Sequence, residues 1–468
     1  MKNAHWSRRH VLKTLFSSLG LPLIPYSSFA NDGENELLHL PIFTEKPEKP
    51  VTAIVLGAGN RGTVYGNFAA AYPEQMDFVG VAEPITIRRE RFSEKHKIAP
   101  ENQFLTWEDV FKKPKFADAI VISTPDRLHY APCMKALSMG YDILLEKPIS
   151  PSEKECREIL QKAKQTGSIV AVCHVLRYAP YFVKLKKLLQ EKRIGELVSI
   201  QHFEPIEHVH MSHSYVRGNW HNSKETTPII LGKSCHDLDI LRWMVDKPFK
   251  SIAAYGDLKW FKKENAPAGS TNRCTDGCAI EKQCPYSAIR IYHEQRQRIR
   301  VFDLPEDPTK QGDAIMEALK TTDYGRCVYR MDNDQPDHYV TSMQFEGGIT
   351  ANFSMEAFAP YHGRRTRIMC SMGFIEGDMD TFTIHDFRTL KNEVIDVKVT
   401  DVDGYEKSGH GGGDWHLVAD FIQAVSKKNP ALLTSTIDQS IESHIACFMA
   451  EKSRLEGKMM PIELGIKN

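Results

Sequence analysis

Three glycines and one acidic residue are the first groups in this sequence whose spacing implies chemistry. The apolar run Val51–Leu56 leads into the loop Gly57-Ala58-Gly59-Asn60-Arg61-Gly62. In such a loop the glycines allow a tight turn, close approach of a pyrophosphate and packing of the next helix on the strand. Glu83 follows Gly62 by 21 residues, where such a unit places the acid that binds a ribose. The pattern predicts a dinucleotide site; an α/β turn without ligand is the alternative. Its predicted contacts are Gly57, Gly59, Asn60, Arg61, Gly62 and Glu83.

The same acid indicates which dinucleotide would bind. The carboxylate of Glu83 repels the extra phosphate of NADP, so NAD is favoured. Arg88 and Arg89 follow closely and could soften that preference. We therefore expect NAD, with NADP as the alternative.

Composition limits the class of protein. The chain has 468 residues, 41% of them hydrophobic and 26% charged, with a formal net charge of zero. This length predicts two or three domains. Since no basic stripe is present, nucleic acid is not expected as a partner.

The first thirty residues have the features of an export signal. Arg8 and Arg9 form a twin-arginine pattern, and the moderately apolar run Thr14–Phe29 ends in the small-x-small cleavage signal Ser28-Phe29-Ala30. The alternative is a basic N-terminal anchor, but two prolines and a short apolar core argue against a spanning helix. We expect a cleaved leader over residues 1–30, a periplasmic location reached through the twin-arginine export machinery, and no stable membrane anchor.

The remaining chain divides by its periodicity. Residues 31–50 are polar and predict a linker or arm. Strand and helix patterns alternate over residues 51–178, which predicts a Rossmann domain with a doubly wound parallel sheet. Residues 179–468 contain alternating runs typical of an α/β domain with an open, mostly antiparallel sheet. These runs are Leu197–Glu204, Ser251–Tyr255, His338–Phe345, Ile349–Ala357, Arg365–Met372 and Ile395–Val399.

Five motifs in this order give the chain a family resemblance. They are the glycine loop with Glu83, Thr124-Pro125 with His129, Glu146-Lys147-Pro148, Arg177 with Pro180, and His236-x-x-Asp239. Together they resemble the Gfo/Idh/MocA family of sugar-directed, nicotinamide-dependent oxidoreductases. The resemblance implies a substrate pocket between the two domains and an open sheet that often forms a homo-oligomer contact. It adds Thr124, Pro125, His129, Glu146, Lys147 and Arg177 to the expected cofactor contacts.

The resemblance also implies the catalytic residues. Lys147 corresponds to the family's active-site lysine and His236 to its pocket histidine. Oxidation of a secondary alcohol requires a base for the hydroxyl proton, which His236 suits by its pKa, while Lys147 can polarise the oxygen or act as the base itself. The alternatives are structural: Lys147 at a strand end and His236 bonded to backbone. Many relatives have an aspartate where this chain has Gly232, and the following Lys233 would bring a second ammonium into the pocket.

Several other residues are expected to line the substrate side. Residues 202–221 contain five histidines, but their spacing matches no compact metal site. Trp220 could stack on a sugar ring and Arg217 could bind hydroxyls. Asp239, from the last motif, is a further expected contact. His410 lies in a glycine-rich turn before a helix that Asp414 would cap, and it either faces the pocket or belongs to a flexible turn.

Three cysteines within eleven residues form a separate feature: Cys274, Cys278 and Cys284. An exported chain favours a disulfide, which would leave one thiol unpaired. A zinc site with a fourth ligand from elsewhere and three free thiols are the alternatives.

The expected function is that of an NAD(P)-dependent oxidoreductase, moving hydride to or from a secondary hydroxyl of a sugar, polyol or glycoside. Export favours a tightly retained cofactor, because free cofactor is scarce outside the cytoplasm. One alternative is an NAD-dependent glycoside hydrolase that oxidises, eliminates and re-reduces the sugar without net redox change. A non-catalytic, cofactor-bearing sugar-binding protein is the other.

Overall fold

The computed structural model describes residues 46–397 and 409–464. The predicted leader and most of the predicted arm therefore lie outside the described residues. Among the helices of the described part, none is long and apolar enough to cross a membrane.

The first half of the chain alternates strands and helices. The strands are β1 (Val51–Leu56), β2 (Met76–Ala82), β3 (Gln103–Phe104), β4 (Ala119–Ile122), β5 (Asp142–Leu145) and β6 (Val170–Val172). The helices are α1 (Asn60–Ala71), α2 (Thr86–His96), α3 (Trp107–Val110), α4 (Tyr130–Ser138) and α5 (Glu153–Thr166). The strands form one parallel sheet in the order β3-β2-β1-β4-β5-β6. The predicted Rossmann sheet is confirmed, with the crevice for a ligand where the order reverses between β1 and β4.

Burial on both faces explains the continuous apolar runs of these strands. Ile54, Ile120 and Ile143 contribute to one core, whereas their neighbours Val55 and Val121 contribute to the core on the opposite face. Successive side chains of a strand point to opposite faces, so a strand covered on both sides must be apolar throughout.

The second half forms a larger sheet. Its helices are α6 (Pro180–Gln190), α7 (His208–His210), α8 (Ile229–Gly232), α9 (Cys235–Val245), α10 (Pro308–Thr321), α11 (Gly413–Ser426) and α12 (Ile437–Glu456). Its strands are β7 (Leu197–Pro205), β8 (Phe249–Asp257), β9 (His338–Phe345), β10 (Thr350–Glu356), β11 (Arg365–Cys370), β12 (Gly373–Gly377), β13 (Thr381–Asp386), β14 (Lys391–Asp396) and β15 (Met460–Pro461). The order is β14-β13-β12-β11-β7-β10-β9-β8-β15, with β7 and β10 parallel and the other pairs antiparallel. The predicted open, mostly antiparallel sheet is confirmed.

Two helices near the end of the chain connect the sheets. In α11, Trp415 packs against Phe68 of α1 with ring centroids 6.0 Å apart, within the core of the Rossmann sheet. In α12, the hydroxyl of Ser453 accepts a hydrogen bond from the amide of Ala254 on β8, at 2.9 Å. The chain therefore returns to the first sheet through α11 before it adds the last strand, β15, to the second.

A segment between β8 and β9, residues 258–337, has a small core of its own. We call it the insert. Its apolar cluster includes Ala288, Ile291, Tyr292, Ile315 and Leu319. Helix α10 provides two of these residues, Ile315 and Leu319, and it is not among the helices predicted from the sequence.

Candidate functional site

The glycine loop turns where a side chain would clash. Gly57 has a φ of +89°, and a Cβ there would lie 2.8 Å from the carbonyl oxygen of Ser123. A Cβ on Gly62 would lie 2.1 Å from the carbonyl oxygen of Gly57. Helix α1 begins at Asn60 without a side-chain cap, so its first N–H groups and its dipole are available to an anion. The loop thus fits a pyrophosphate.

Glu83 lies beside this loop at the end of β2. Its carboxylate is buried and accepts hydrogen bonds from the amide of Ala58, at 2.8 Å, and from the amide of Ile85, at 2.9 Å. These two bonds fix the carboxylate at the loop, and each oxygen keeps a second lone pair. Glu83 is therefore held at the glycine loop, and its contact with ribose hydroxyls stays a prediction.

Arg61 connects the glycine loop to two carboxylates of the protein. Its Nε lies 2.5 Å from Oε1 of Glu146, and its Nη2 lies 2.8 Å from Oδ1 of Asp414. Burial raises the pKa of the Glu146 carboxyl, but Arg61 and Lys147 outweigh burial and hold it below its ordinary value. The structure thus joins two predicted cofactor contacts, Arg61 and Glu146, to each other; their contact with the cofactor stays a prediction.

The network continues to an imidazole at the pocket. Nδ1 of His410 lies 3.2 Å from both carboxylate oxygens of Asp414, and the His410 side chain is 39% exposed. The turn is tight, since a Cβ on Gly409 would lie 2.6 Å from Oδ2 of Asp414. We call Glu146, Arg61, Asp414 and His410 the crevice network. The predicted capping role of Asp414 is wrong: Gly412 is the N-cap of α11, without a side-chain bond, and Asp414 instead orients His410.

Lys147 and His236 meet at the same edge. Lys147 follows β5, and its Nζ donates a hydrogen bond to the carbonyl oxygen of Gly232 at 2.9 Å. His236 lies in the first turn of α9 and is 5% exposed, and its Nδ1 has no hydrogen-bond partner. Burial holds the pKa of His236 well below its ordinary value, and the positive charge of Lys147 adds to this effect. His236 is therefore a neutral imidazole at neutral pH, with a nitrogen able to accept a proton.

Two other imidazoles surround His236. The ring of His410 lies 5.8 Å from that of His236, and the ring of His174 lies 5.9 Å away on another side. His410 therefore lies beside His236, and its contact with a substrate stays a prediction.

A second set of charges lies behind the pocket, next to β7. Nζ of Lys233 lies 2.8 Å from Oε1 of Glu204, whose other oxygen lies 3.0 Å from Nη2 of Arg364. Nε of Arg364 lies 2.6 Å from Oδ1 of Asp237, which also contacts His202 at 3.1 Å. We call these five residues the wall network.

This network changes the interpretation of Lys233. Burial lowers the pKa of Lys233, although Glu204 opposes that effect. The ammonium that the sequence placed in the pocket is thus paired with a buried carboxylate, and the backbone carbonyl before it binds Lys147 instead.

The predicted contacts after β4 form a clamp between loops. The ring of His129 is buried, with Nδ1 2.8 Å from the carbonyl oxygen of Pro148 and Nε2 2.8 Å from that of Thr124. Thr124, Pro125 and His129 therefore fix the loop after β4 to the loop carrying Lys147. This arrangement makes His129 a positioning residue.

Arg177 and Asp239, two further residues predicted for the site, are bonded to each other. Nε and Nη2 of Arg177 each lie 2.7 Å from one oxygen of Asp239, and both residues are 1% exposed. Arg177 was expected to contact the cofactor and Asp239 the substrate. The structure instead pairs them with each other as a buried bidentate ion pair, which connects a residue of the first domain to a residue of the second.

The substrate-side residues divide between pocket and insert. The indole N–H of Trp220 donates to Oδ2 of Asp126 at 3.0 Å, which holds the ring beside the loop after β4. Arg217 is 2% exposed and donates to the carbonyl oxygens of Arg326 and Tyr286, each at 2.7 Å. The guanidinium of Arg217 is thus committed to the core of the insert, and its predicted substrate contact finds no support in this geometry.

All ten cysteines are free thiols in the structure. Sγ of Cys274 lies 3.9 Å from Nη2 of Arg217, while burial raises the pKa of the Cys284 thiol. Residues 46–397 and 409–464 contain no group of three or more His, Cys, Asp or Glu side chains that could hold a metal. Neither the disulfide nor the metal alternative for Cys274, Cys278 and Cys284 is found, which leaves free thiols.

Sequence reasoning assigned no role to three residues of the site, Asp126, Glu204 and Arg364, and it missed the orienting role of Asp414. Glu204 and Arg364 lie far apart in sequence, so no local spacing could reveal that they form an ion pair with each other. Asp126 follows directly after the motif Thr124-Pro125. Its position as an acid near the carboxyl end of a strand was the one sequence signal that could have identified it as a site residue.

Comparisons with known proteins agree with this geometry. Residues 51–174 match the model of an oxidoreductase family described as an NAD-binding Rossmann fold, and residues 186–443 match the model of that family's C-terminal α/β domain. The oxidoreductase YteT of Bacillus subtilis is 24% identical over 315 residues, which cover 65% of this chain and 71% of that protein. The scyllo-inositol 2-dehydrogenase (NAD(+)) of the same organism is 26% identical over 221 residues, covering 45% of this chain and 58% of that protein.

Solved structures share the fold. Levoglucosan dehydrogenase, in complex with NADH and levoglucosan, superposes with a TM-score of 0.65 at 14% identity, covering 88% of this chain and 100% of that one. The two domain matches together span most of the chain, and the glycine loop and Glu83 lie within the segment that matches the NAD-binding domain. The chain therefore belongs to the Gfo/Idh/MocA family of NAD(P)-dependent oxidoreductases.

Proposed function

We propose that this protein is an NAD-dependent dehydrogenase acting on a secondary hydroxyl of a sugar or polyol. The observation that carries the proposal is His236: a buried imidazole, neutral at neutral pH, with an unpartnered Nδ1 and Lys147 beside it. The names of the inositol and levoglucosan dehydrogenases that resemble this chain support the same substrate class.

Each group of the site has a separate role in the proposed oxidation. NAD bound at the glycine loop supplies the hydride acceptor. Nδ1 of His236 accepts the proton of the substrate hydroxyl, because a carbonyl cannot form while that proton remains. Lys147 uses one N–H on the Gly232 carbonyl oxygen and keeps two for the substrate oxygen, where its charge stabilises developing negative charge.

The test is a substrate screen of the mature chain, residues 31–468, with NAD and a panel of inositols, hexoses and anhydrosugars. Formation of NADH with at least one of them, lost in His236→Gln, supports the proposal. If no polyol or sugar is oxidised although NAD binds, the proposed reaction is wrong.

A second function is favoured by the paired imidazoles. His410 is oriented by Asp414, and its ring lies 5.8 Å from that of His236, so two proton-transfer groups lie side by side. Cleavage of a glycoside by oxidation, elimination and re-reduction needs such a second acid or base, because a proton must leave the carbon next to the new carbonyl while the leaving group is protonated. Release of the aglycone without net NADH, with solvent deuterium incorporated at that carbon, identifies this reaction.

We also propose that the protein is exported and retains its cofactor. The support is the twin-arginine pattern at Arg8 and Arg9 and the scarcity of free cofactor outside the cytoplasm. Replacing both arginines by lysine should leave the chain in the cytoplasm in a fractionation experiment. Purification without added nucleotide, followed by denaturation, should release about one NAD(H) per chain; a chain that emerges empty contradicts retention.

Self-association is proposed through the uncovered face of the larger sheet. Tyr255 of β8 is 66% exposed and Val340 of β9 is 45% exposed. Light scattering should show an oligomer that Tyr255→Glu weakens, and a wild-type monomer would exclude it.

A further inference from the structure

Arg88 lies at the edge of the dinucleotide site. It belongs to the first turn of α2, five residues after Glu83. Its Nη1 is 3.9 Å from the position that a Cβ on Gly59 would occupy, so the guanidinium faces the glycine loop. A cation at this position, next to the ribose-binding acid, could bind the extra phosphate that distinguishes NADP from NAD.

The insert supplies a carboxylate that occupies this guanidinium. Nε of Arg88 lies 2.9 Å from Oδ1 of Asp303, and Nη2 lies 3.0 Å from Oδ2. This is the parallel, bidentate geometry in which a carboxylate satisfies two guanidinium donors at once. The same fork would otherwise be presented to a phosphate.

Asp303 is held in place from the other side by aromatic packing. Its neighbour Phe302 packs edge-on against Tyr292, with centroids 5.5 Å apart, and against Tyr324, at 5.6 Å. On the Rossmann side, Arg91 donates to the carbonyl oxygen of Leu304 at 3.2 Å. Residues 299–306, which we call the strap, therefore bridge the core of the insert and helix α2.

The second arginine of the pair is also engaged. Nη1 of Arg89 donates to the carbonyl oxygen of Glu83 at 2.6 Å, which bends this side chain back onto its own loop. The sequence suggested that Arg88 and Arg89 could soften the preference for NAD. In the structure, both guanidinium groups are bonded to oxygen atoms of the protein.

We infer that Asp303 is a cofactor-specificity residue: from the strap, it binds Arg88 at the glycine loop and keeps that guanidinium from the 2′-phosphate of NADP. The inference rests on the binding of NAD, and not on the sugar reaction proposed above. The insert thereby contributes to nucleotide selection although it lies outside the Rossmann sheet.

The test is an exchange experiment that requires no turnover. The mature chain is equilibrated with an equimolar mixture of NAD and NADP, washed and denatured, and the two released nucleotides are quantified. Asp303→Asn removes the charge while keeping the size of the side chain. We expect the ratio of NADP to NAD to rise about tenfold, as a freed charge-assisted contact to phosphate implies.

Two further variants locate the cause. In Arg88→Ala/Asp303→Asn the gain should disappear, because the phosphate has lost its guanidinium. Glu306→Gln is the matched control: this strap acid is 88% exposed and 3.9 Å from Nε of Arg91, and its loss should leave the ratio at the wild-type value.

Three results would overturn the inference: an unchanged ratio in folded Asp303→Asn, a gain that persists without Arg88, or a large fall of NADP binding in Arg88→Ala alone. The last variant decides the matter even if Asp303→Asn does not fold, since an arginine already occupied by Asp303 should contribute little to NADP. A chain that binds neither nucleotide would overturn both this inference and the proposed function. Failed sugar oxidation with a shifted ratio would overturn only the latter.

Discussion

The crevice network and the wall network are built from similar charged side chains, yet they differ in whether one of their members is exposed. The crevice network ends at His410, whose side chain is 39% exposed. The wall network is enclosed: the side chains of Arg364 and Lys233 are 8% and 14% exposed, and each faces a buried carboxylate. One network therefore leaves an imidazole accessible to a bound molecule, and the other is satisfied within the protein.

His236 lies between them and is affected by both. After burial and Lys147, the charges of His410 and Arg364 are among the causes that keep its pKa low. A buried charge network can take part in chemistry only where one of its members is accessible; elsewhere it sets the electrostatic surroundings of the groups beside it.

The largest effect is expected at His236 itself. His236→Gln removes the proton acceptor, so kcat/KM for oxidation should fall about 10²–10⁴-fold, while the affinity for NAD stays unchanged. Steady-state kinetics and an NAD titration measure both quantities. His338→Gln, at a half-exposed histidine of β9, is the control and should retain full activity. A loss smaller than about tenfold would mean that another group takes the proton.

The wall network should matter most for stability. Arg364→Met leaves Glu204 and Asp237 buried without their shared cation, so the free energy of unfolding should fall by about 3–5 kcal/mol. Denaturant titration measures the loss. The neighbouring Arg365 pairs with Asp378 at 2.7 Å, but its side chain is 41% exposed. Arg365→Met should therefore cost less than about 1 kcal/mol, and equal losses in the two variants would contradict the assigned difference between buried and exposed pairs.

The crevice network should matter more for rate than for stability. Asp414→Asn weakens the bond that orients His410, so kcat should fall by about 10–100-fold. The same variant should lose less unfolding free energy than Arg364→Met, because Glu146 still neutralises Arg61. Asp438→Asn, at a half-exposed acid paired with Lys164, is the control for a lost surface ion pair. A loss of stability without a loss of rate would assign the crevice network to structure.

The last effect is a pH dependence of stability that arises from two buried histidines near His236. Burial lowers the pKa of His174 to about 3 and that of His444 to about 4. The unfolded chain binds these protons near pH 6.5, whereas the folded chain does not, so the stabilisation is complete above that pH and is lost as the pH falls. Each histidine should contribute about 1.4 kcal/mol per pH unit in this window.

Replacing His174 tests this slope, since neither of its ring nitrogens has a hydrogen-bond partner. The unfolding free energy of His174→Leu, measured between pH 4 and 7, should fall less steeply with decreasing pH than that of the wild type. The difference between the two slopes should equal the contribution of one histidine. The exposed His362 serves as control, and His362→Gln should leave the slope unchanged. An unaltered slope in His174→Leu would contradict the lowered pKa of His174, because it would show that this histidine binds as many protons in the folded as in the unfolded protein.

The local spacing of residues in the sequence was sufficient to predict the glycine loop and Glu83 as neighbours at the edge of the Rossmann sheet. The glycine loop and Glu83 occupy one strand-turn-helix-strand unit, where the backbone fixes their relative positions within a few turns of chain. Apolar runs likewise predicted the parallel sheet, because strands covered on both faces must be apolar throughout. The strands β12 and β13 and helix α10 were not predicted, since their short or mixed patterns are decided by the neighbours they pack against.

The sequence by itself determined the nucleotide fold, the order of the motifs and the identity of Lys147 and His236 as candidates for the chemistry. Only the tertiary structure decided their partners: Lys233 with Glu204, Arg177 with Asp239, Arg61 with Asp414, and Arg88 with Asp303. The physical reason is that a turn or a strand depends on residues a few positions apart, whereas an ion pair depends on two side chains brought together from distant segments. A charge read from sequence therefore identifies a candidate, and its function depends on the charge that folding places opposite it.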